Sequence, residues 1–457
     1  MRTRRLSARE LVSAFIARIE ALNARLNALC TFVPEHALAE ARRLDRRLAH
    51  AKTAPALPLA GLPVAFKDLV PTRGLRTTYG SLVYRDHVPA EDHVIVERMR
   101  AAGAVIVGKT NTPEFGAGSQ TYNAVFGATR NPYDPSTTCG GSSGGAAVAV
   151  ATGMLPFADG SDLGASLRNP ASFCNVVGLR PTPGRVPSYP ADDAWDTLSV
   201  LGPIARRVED AAFLLSVMAG PDPRAPASLC EPGAPFARLP VRDFRATRIA
   251  WSRDLGGLPV DPRVTAVFEA QRPVFEAMGC RIHEAEPDLA EAGEAFHVLR
   301  ALAFARRYGA LLRAHQAQLK DTVVWNIEEG LRLRPERIGA ALAARSRLFH
   351  AMREFLERYD FLVLPTSQVP PFPVAEPWVR AIAGRPMPNY LEWMRSCYAI
   401  TMTSHPAISV PAGFTRDDPP LPVGIQIVGR YRDERTLLAF ALAFERANPV
   451  WRRRPPL

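Results

Sequence analysis

The sequence predicts an α/β protein, and three observations carry the prediction. Residues 62–66 form an apolar run too short for a helix, and the run ends on a charged residue, Lys67. Residues 247–252, 264–278 and 281–286 read as strand, helix and strand, the alternation of an α/β unit. Residues 146–152 consist of Ala and Val closed by Thr152, with no polar face, so they form a buried helix.

In chain order, Ser7-Ala8-Arg9-Glu10 is a capping box, and Leu11, Val12, Phe15, Ile16, Ile19 and Leu22 follow at helical spacing. A second helix at 34–50 carries Ala and Leu on one side and Arg on the other, and 51–58 is a short linker. The strand at 62–66 delivers Lys67 at its C-terminal end, where α/β sheets commonly carry chemistry. A helix at 92–102 leads into 103–110, which satisfies the phosphate-loop pattern GxxxxGK[ST]. The context is wrong for nucleotide. A helix precedes it, Ala104-Val105-Ile106-Val107 is a β-run unable to cradle phosphate, and Asn111-Thr112-Pro113 follows where a helix is needed.

The turn Asn131-Pro132-Tyr133-Asp134-Pro135 leads into Gly140-Gly141-Ser142-Ser143-Gly144-Gly145. Beyond Ser166, Arg168-Asn169-Pro170 opens a short helix with Pro at its first position. A turn at Leu201-Gly202-Pro203, a helix at 208–218 and an irregular crossing at 219–240 come next. After the strand–helix–strand unit the chain is helical and Arg-rich over 289–356. A strand at 361–364 and a loop-rich stretch at 374–389 follow. Trp378, Tyr390, Trp393 and Met394 either wall a substrate pocket or pack in the core. Strands at 407–410 and 423–428 and a helix at 434–445 close the chain, and no internal repeat occurs.

Composition narrows the function classes. The 457 residues are 47% hydrophobic, which is ordinary for a globular protein. The net charge of +11 is carried almost wholly by Arg, with no basic cluster interleaved with aromatics, so no nucleic-acid partner is expected. Cys30, Cys139, Cys174, Cys230, Cys280 and Cys397 show neither CxxC nor zinc spacing; they read as isolated reduced thiols in a cytoplasmic protein without metal. Arg2, Arg4 and Arg5 precede no apolar segment, so no signal peptide is expected, and no run approaches the ~20 apolar residues of a membrane span. The tail Trp451-Arg452-Arg453-Arg454-Pro455 reads as a solvated basic end.

Two Gly-rich turns carry serines on either side of the buried helix: 140–145, and 160–166 with Ser161 and Ser166. Glycine admits tight turns cheaply, and a rigid helix between them suits a preorganised site. Serine needs a base to act as a nucleophile. None of the nine histidines falls in these turns. Lysine is more telling: only Lys52, Lys67, Lys109 and Lys320 occur among 56 basic residues. Arg stays charged, whereas a desolvated Lys can lose its proton and act as a base. Lys67, inside an apolar run, is therefore the candidate base; an ion-paired or snorkelling Lys at a strand end is the alternative.

These segments resemble the amidase signature family of serine hydrolases. The resemblance rests on GLPVAFKD (61–68), GGSSGG (140–145), GSDLGASLRNPASFCNVVGLRPTPGRV (160–186), HPAISVPAGF (405–414) and LPVGIQIVGR (421–430), and it runs nearly the whole chain. It implies an α/β/α sandwich around a large mixed β-sheet. It also implies one domain over 1–457, with a helical N-terminal region at about 7–50, a catalytic core at about 60–220 and a variable substrate-pocket half at about 241–445. It further implies a Ser-Ser-Lys site in which Ser166 forms an acyl-enzyme, Ser142 relays the proton on a cis peptide after Gly141, and Lys67 is the base. The N–H groups of Leu163, Gly164, Ala165 and Ser166 would form the oxyanion hole, with Gly141, Ser143, Asp162 and Arg168 in support. Ala165 departs from the family, which most often has glycine there; a left-handed backbone at that position would strain it by about 1 kcal/mol. The substrate would be a small-molecule amide, cleaved without cofactor, with a homodimer among the assemblies left open. The rival within the family is the partner-dependent, glutamine-hydrolysing component of a glutamyl-tRNA amidotransferase. That branch carries a Ser-Ser-Leu-Asp-Gln-like sequence after the PTxGRV motif, and residues 188–199 lack it. A catalytically silent scaffold and the nucleotide reading of 103–110 are the remaining alternatives.

Overall fold

A computed structural model describes residues 6–50 and 57–457. The linker expected at 51–58 lies, up to residue 56, outside the described residues. Eight strands form one mixed sheet in the order Arg281–Glu284, Arg248–Trp251, Phe361–Pro365, Pro422–Val428, Ala407–Phe414, Val177–Arg180, Val200–Ala205, Phe157–Asp162. The first three run parallel and the rest alternate antiparallel. Leu29–Phe32, Val105–Thr110 and Pro63–Lys67 make a second, three-stranded sheet. Its edge strand Pro63–Lys67 meets the edge strand Phe157–Asp162 through the Lys67 N–H, which donates to Asp159 Oδ1 at 3.1 Å.

Period-two alternation sends neighbouring side chains to opposite faces. Ile249, Trp251, Phe361, Val363, Ile425 and Ile427 pack under the helices Val94–Ala101, Val208–Met218, Pro262–Glu269 and Glu434–Ala447. Ala250, Leu362, Leu364 and Val428 pack on the other face, under Ala292–His315, Pro335–Arg358 and Arg395–Met402. A third core joins the N-terminal helices Ala8–Leu26 and Pro34–His50 to Gly144–Ala151 and the small sheet. This is the expected sandwich around a large mixed sheet. The Ser7 capping box forms as the sequence implies, and every residue of Gly144–Ala151 is buried. Among the described residues no helix is long and apolar enough to cross a membrane.

Three local expectations are corrected. Leu201-Gly202-Pro203 is not a turn but the buried centre of Val200–Ala205. Gly202 is there because a Cβ would overlap the Leu179 carbonyl. Pro203 is tolerated because the ladder to Val177–Arg180 ends at Gly178 and Ile204. The helix expected at 264–278 is split into Pro262–Glu269 and Arg272–Ala277, since Pro273 has no N–H to continue the ladder. Pro170 is the third residue of Arg168–Phe173, not the first, a position whose N–H has no intrahelical partner anyway. The basic tail is solvated as expected, with Arg452, Arg453 and Arg454 exposed, while its main chain is held. Tyr133 Oη donates to the Arg453 carbonyl at 2.9 Å, Asn175 Nδ2 to the Val450 carbonyl at 3.2 Å, and Arg206 to the Trp451 carbonyl.

Candidate active site

Lys67 ends a strand whose five residues are all buried. Its Nζ lies 2.6 Å from Ser142 Oγ, 2.9 Å from Ser143 Oγ and 3.0 Å from Ser161 Oγ. Burial lowers the ammonium pKa to about 7, against the opposing pull of Asp159 and Asp162. Burial likewise raises Asp159 to about 6, against the Lys67 N–H and the charges of Lys109 and Lys67. Three hydroxyls thus surround an amine that burial has brought to the edge of neutrality.

The turn bearing Ser142 is pinned from outside. Ser119 Oγ donates to the Gly141 carbonyl at 2.6 Å, and Thr121 Oγ1 to the Gly140 carbonyl at 2.9 Å. The Gly141–Ser142 peptide is cis, as the resemblance implies. Ser143 links the two serine loops, its N–H donating to the Ser166 carbonyl at 3.2 Å.

The second loop is shorter than the sequence suggests. Gly160, Ser161 and Asp162 belong to the strand Phe157–Asp162, not to a turn. A Cβ on Gly160 would come within 2.7 Å of Leu167 Cδ2 and 2.8 Å of Ser143 Oγ, so close approach rather than turning explains that glycine. The loop proper is 163–167. Asp162 closes it, accepting the Leu167 N–H at 3.1 Å and a two-pronged pair from Arg168 at 3.0 Å each. Arg168 also donates to the Gly164 carbonyl at 2.9 Å, Thr401 Oγ1 at 2.8 Å, the Cys397 carbonyl at 2.9 Å and Gln426 Oε1 at 2.6 Å. Arg180 donates to the Asp162 carbonyl. Burial works to raise the Asp162 carboxyl, but Arg168 and Arg180 outweigh it and hold it below its usual value.

Among the described residues the N–H groups of Leu163, Gly164, Ala165 and Ser166 donate to no other group. Ala165 is not among the residues with a left-handed backbone, so its methyl carries no such strain; it is buried in the core that also holds Phe296. Ser142, Ser161, Leu163 and Ser166 line one cavity of about 240 Å³. Its other walls include Tyr79, Phe115, Phe304 and Tyr308. Ser166 Oγ forms no side-chain hydrogen bond among the described residues, to Ser142 or to any other group.

Sequence reasoning missed Asp159 and the part played by Ser161. The signal was period-two alternation: as strand residues, both share a face. It also missed the cavity wall on the helix Ala292–His315, which supplies Arg300, Phe304, Arg306, Arg307 and Tyr308. Trp378, Tyr390, Trp393 and Met394 do not line that cavity; Tyr390, Trp393 and Met394 are buried core. The loop 188–196 does reach the cavity, held by Asp193–Arg306 and Asp192–Arg307 ion pairs of 2.7 Å each. Lys109, the lysine of the phosphate-loop pattern, is buried in a strand and spends its ammonium on the Val70 carbonyl and on Thr72 Oγ1 at 2.9 Å. Among the described residues no cluster of three or more His, Cys, Asp or Glu side chains could hold a metal.

The family model described as Amidase matches residues 10–438. An acylamidase of Rhodococcus erythropolis is 36% identical over 456 residues, 99% of this chain and 94% of that protein. A glutamyl-tRNA(Gln) amidotransferase component of Moorella thermoacetica is also 36% identical, over 488 residues, covering 99% and 96%. The crystal structure of a bacterial aryl acylamidase of the amidase signature enzymes superposes with a TM-score of 0.92 at 29% identity, covering 98% of this chain and 95% of that one. Matched along almost its whole length and in its fold, the chain belongs to the amidase signature family of amide hydrolases.

Proposed function

We propose that the protein hydrolyses a small carboxylic amide to acid and amine through an acyl-enzyme on Ser166. The observation that carries this reading is the 2.6 Å contact between Lys67 Nζ and Ser142 Oγ, at the wall of the cavity that Ser166 also lines. A neutral amine has one lone pair and two N–H groups. Its lone pair can take the Ser142 proton while Ser143 and Ser161 accept the other two contacts.

The step then balances. Ser166 Oγ attacks the amide carbon, its proton passes to Ser142, and the Ser142 proton passes to Lys67 Nζ. The new oxyanion takes the N–H groups of 163–166, donors that are fixed before the charge develops. The C–N bond breaks as the proton returns through Ser142 to the leaving nitrogen, without which an amine leaves poorly. Water attacks the acyl group by the same relay, freeing the acid. Substrate must close the Ser142–Ser166 link, since catalytic hydrogen bonds often tighten only once substrate is bound. The division into an N-terminal helical region, a core at about 60–220 and a pocket half at about 241–445 is part of this reading: Lys67 and the serines come from the core, Arg300 to Tyr308 from the later half. Six free cysteines fit a reducing compartment.

Replacing Lys67 tests the base. Lys67→Arg should be nearly as inactive towards amides as Lys67→Ala, both down by at least ~100-fold in kcat, because Arg stays charged. Substantial amide turnover by the Arg variant would remove Lys67 from that role.

The amidotransferase reading is favoured by the equal identity to the Moorella protein. Against it stands 188–199, where that branch's glutamine-site sequence is absent. Glutamine hydrolysis by the isolated chain, exceeding that of simple amides, would favour the amidotransferase reading.

A further inference from the structure

Arg300 stands on the helix Ala292–His315, one turn after Phe296 and one before Phe304. The Phe296 ring presses on the oxyanion loop: a Cβ on Gly164 would lie 3.0 Å from Phe296 Cζ. Four helical residues rise ~6 Å, so Arg300 sits within about that rise of Phe296, and it lines the same cavity as Ser142 and Ser166.

Its side chain is 4% exposed. A guanidinium carries five N–H donors. Among the described residues Arg300 uses Nη2 alone, donating to Tyr390 Oη at 3.0 Å, and its Nε has no partner. The rings of Phe304 and Tyr390, 4.6 and 5.9 Å from its central carbon, hold its plane without neutralising it. The other cavity arginines differ. Arg306 and Arg307 are paired with Asp193 and Asp192, and no carboxylate pairs with Arg300 among the described residues. A buried charge without a counter-ion is costly, and guanidinium geometry matches a carboxylate with two parallel hydrogen bonds.

We infer that the substrate is an amide bearing a carboxylate, and that Arg300 binds that carboxylate. This rests on the reading of the cavity as an amide-hydrolysing site and names its substrate class. Monoamides of dicarboxylic acids carry the anion on the acyl side, and amides of amino acids carry it on the amine side; both present one carboxylate to one arginine.

The test is calorimetric binding to Ser166→Ala protein, which cannot be acylated. The probes are glutaric acid monoanilide against its neutral shape-match 5-methylhexananilide, and 4-acetamidobenzoate against 4-isopropylacetanilide. At least one anion should bind ~10-fold or more tighter than its neutral match. Adding Arg300→Met should raise that anion's Kd roughly 10- to 100-fold, the usual scale of a lost charged hydrogen bond, and leave the neutral ligand within about threefold. Arg300→Gln, which can keep the Tyr390 contact without the charge, should behave like Arg300→Met and serves if the Met protein does not fold. Arg300→Lys should keep part of the preference. Equal binding of anionic and neutral ligands, or an equal loss of both on removing the charge, would overturn the assignment. The two readings separate: amide turnover by the wild type without anion preference leaves the hydrolase standing and removes the role of Arg300. Arg300-dependent anion binding in a wild type that turns over no amide does the reverse.

Discussion

At Lys67, burial and charge oppose each other, and burial prevails. The neighbouring carboxylates Asp159 and Asp162 favour the ammonium, yet the pKa falls to about 7. Asp162 is already bound to two arginines, and Asp159, raised to about 6, meets the main-chain N–H of Lys67. The folded value lies below the 10.5 of a free lysine, so the unfolded chain holds this proton more tightly. Burial therefore costs stability in full below about pH 7, and the cost is relieved between about pH 7 and 10.5. Activity has the same sign. If neutral Lys67 is the working form, kcat/KM for an uncharged amide should climb roughly 10-fold from pH 6 to pH 8 and then level off. A profile flat across that range would separate the rate from Lys67. Lys67 was legible because lysine is so rare in this chain that one inside an apolar run stands out. Asp159 was not, because nothing in Phe-Ala-Asp-Gly-Ser-Asp marks its third residue as the partner of an amide nitrogen 92 positions away.

The elements show why the glycines of the serine loops were only half legible. Glycine in sequence announces freedom to turn, but several here mark contact instead. Gly145 lies in the first turn of Gly144–Ala151, and a Cβ there would overlap the Ala28 carbonyl oxygen and the Asn111 nitrogen. Both obstacles are backbone and cannot swing aside. Gly145→Ala should therefore destabilise by about 3 kcal/mol, the upper end of overpacking costs. Gly339, on the exposed face of the helix Pro335–Arg358, has open space around its Cβ position, and Gly339→Ala should stabilise by up to ~1 kcal/mol. Urea unfolding of the two variants checks both signs; similar effects would refute the contact argument. The same distinction explains the misread turn at 201–203 and the extra strand residues at 160–162. The N-terminal helix, by contrast, was readable to its cap, because capping box and apolar spacing are local signals.

Across the molecule, the site exists only where two sheets meet edge to edge. Lys67 arrives on the small sheet, Asp159, Ser161 and Asp162 on the last strand of the large one, and the helix Gly144–Ala151 fixes the serine turn between them. α/β alternation was visible in the sequence, and the family motifs supplied the sandwich. Neither could reveal that the cavity's far wall comes from one face of Ala292–His315, since that helix is apolar and charged by turns with no motif of its own. Nor could they reveal that Arg168, six residues from Asp162, ties the 163–167 loop to Gln426 and Thr401 more than 230 residues away. The central claim is that this convergence activates Ser166. Intact mass after treatment with a fluorophosphonate probe tests it most directly. The account predicts a single adduct on the wild type and none on Ser166→Ala. An unlabelled wild type, or an adduct that survives in Ser166→Ala, would contradict it.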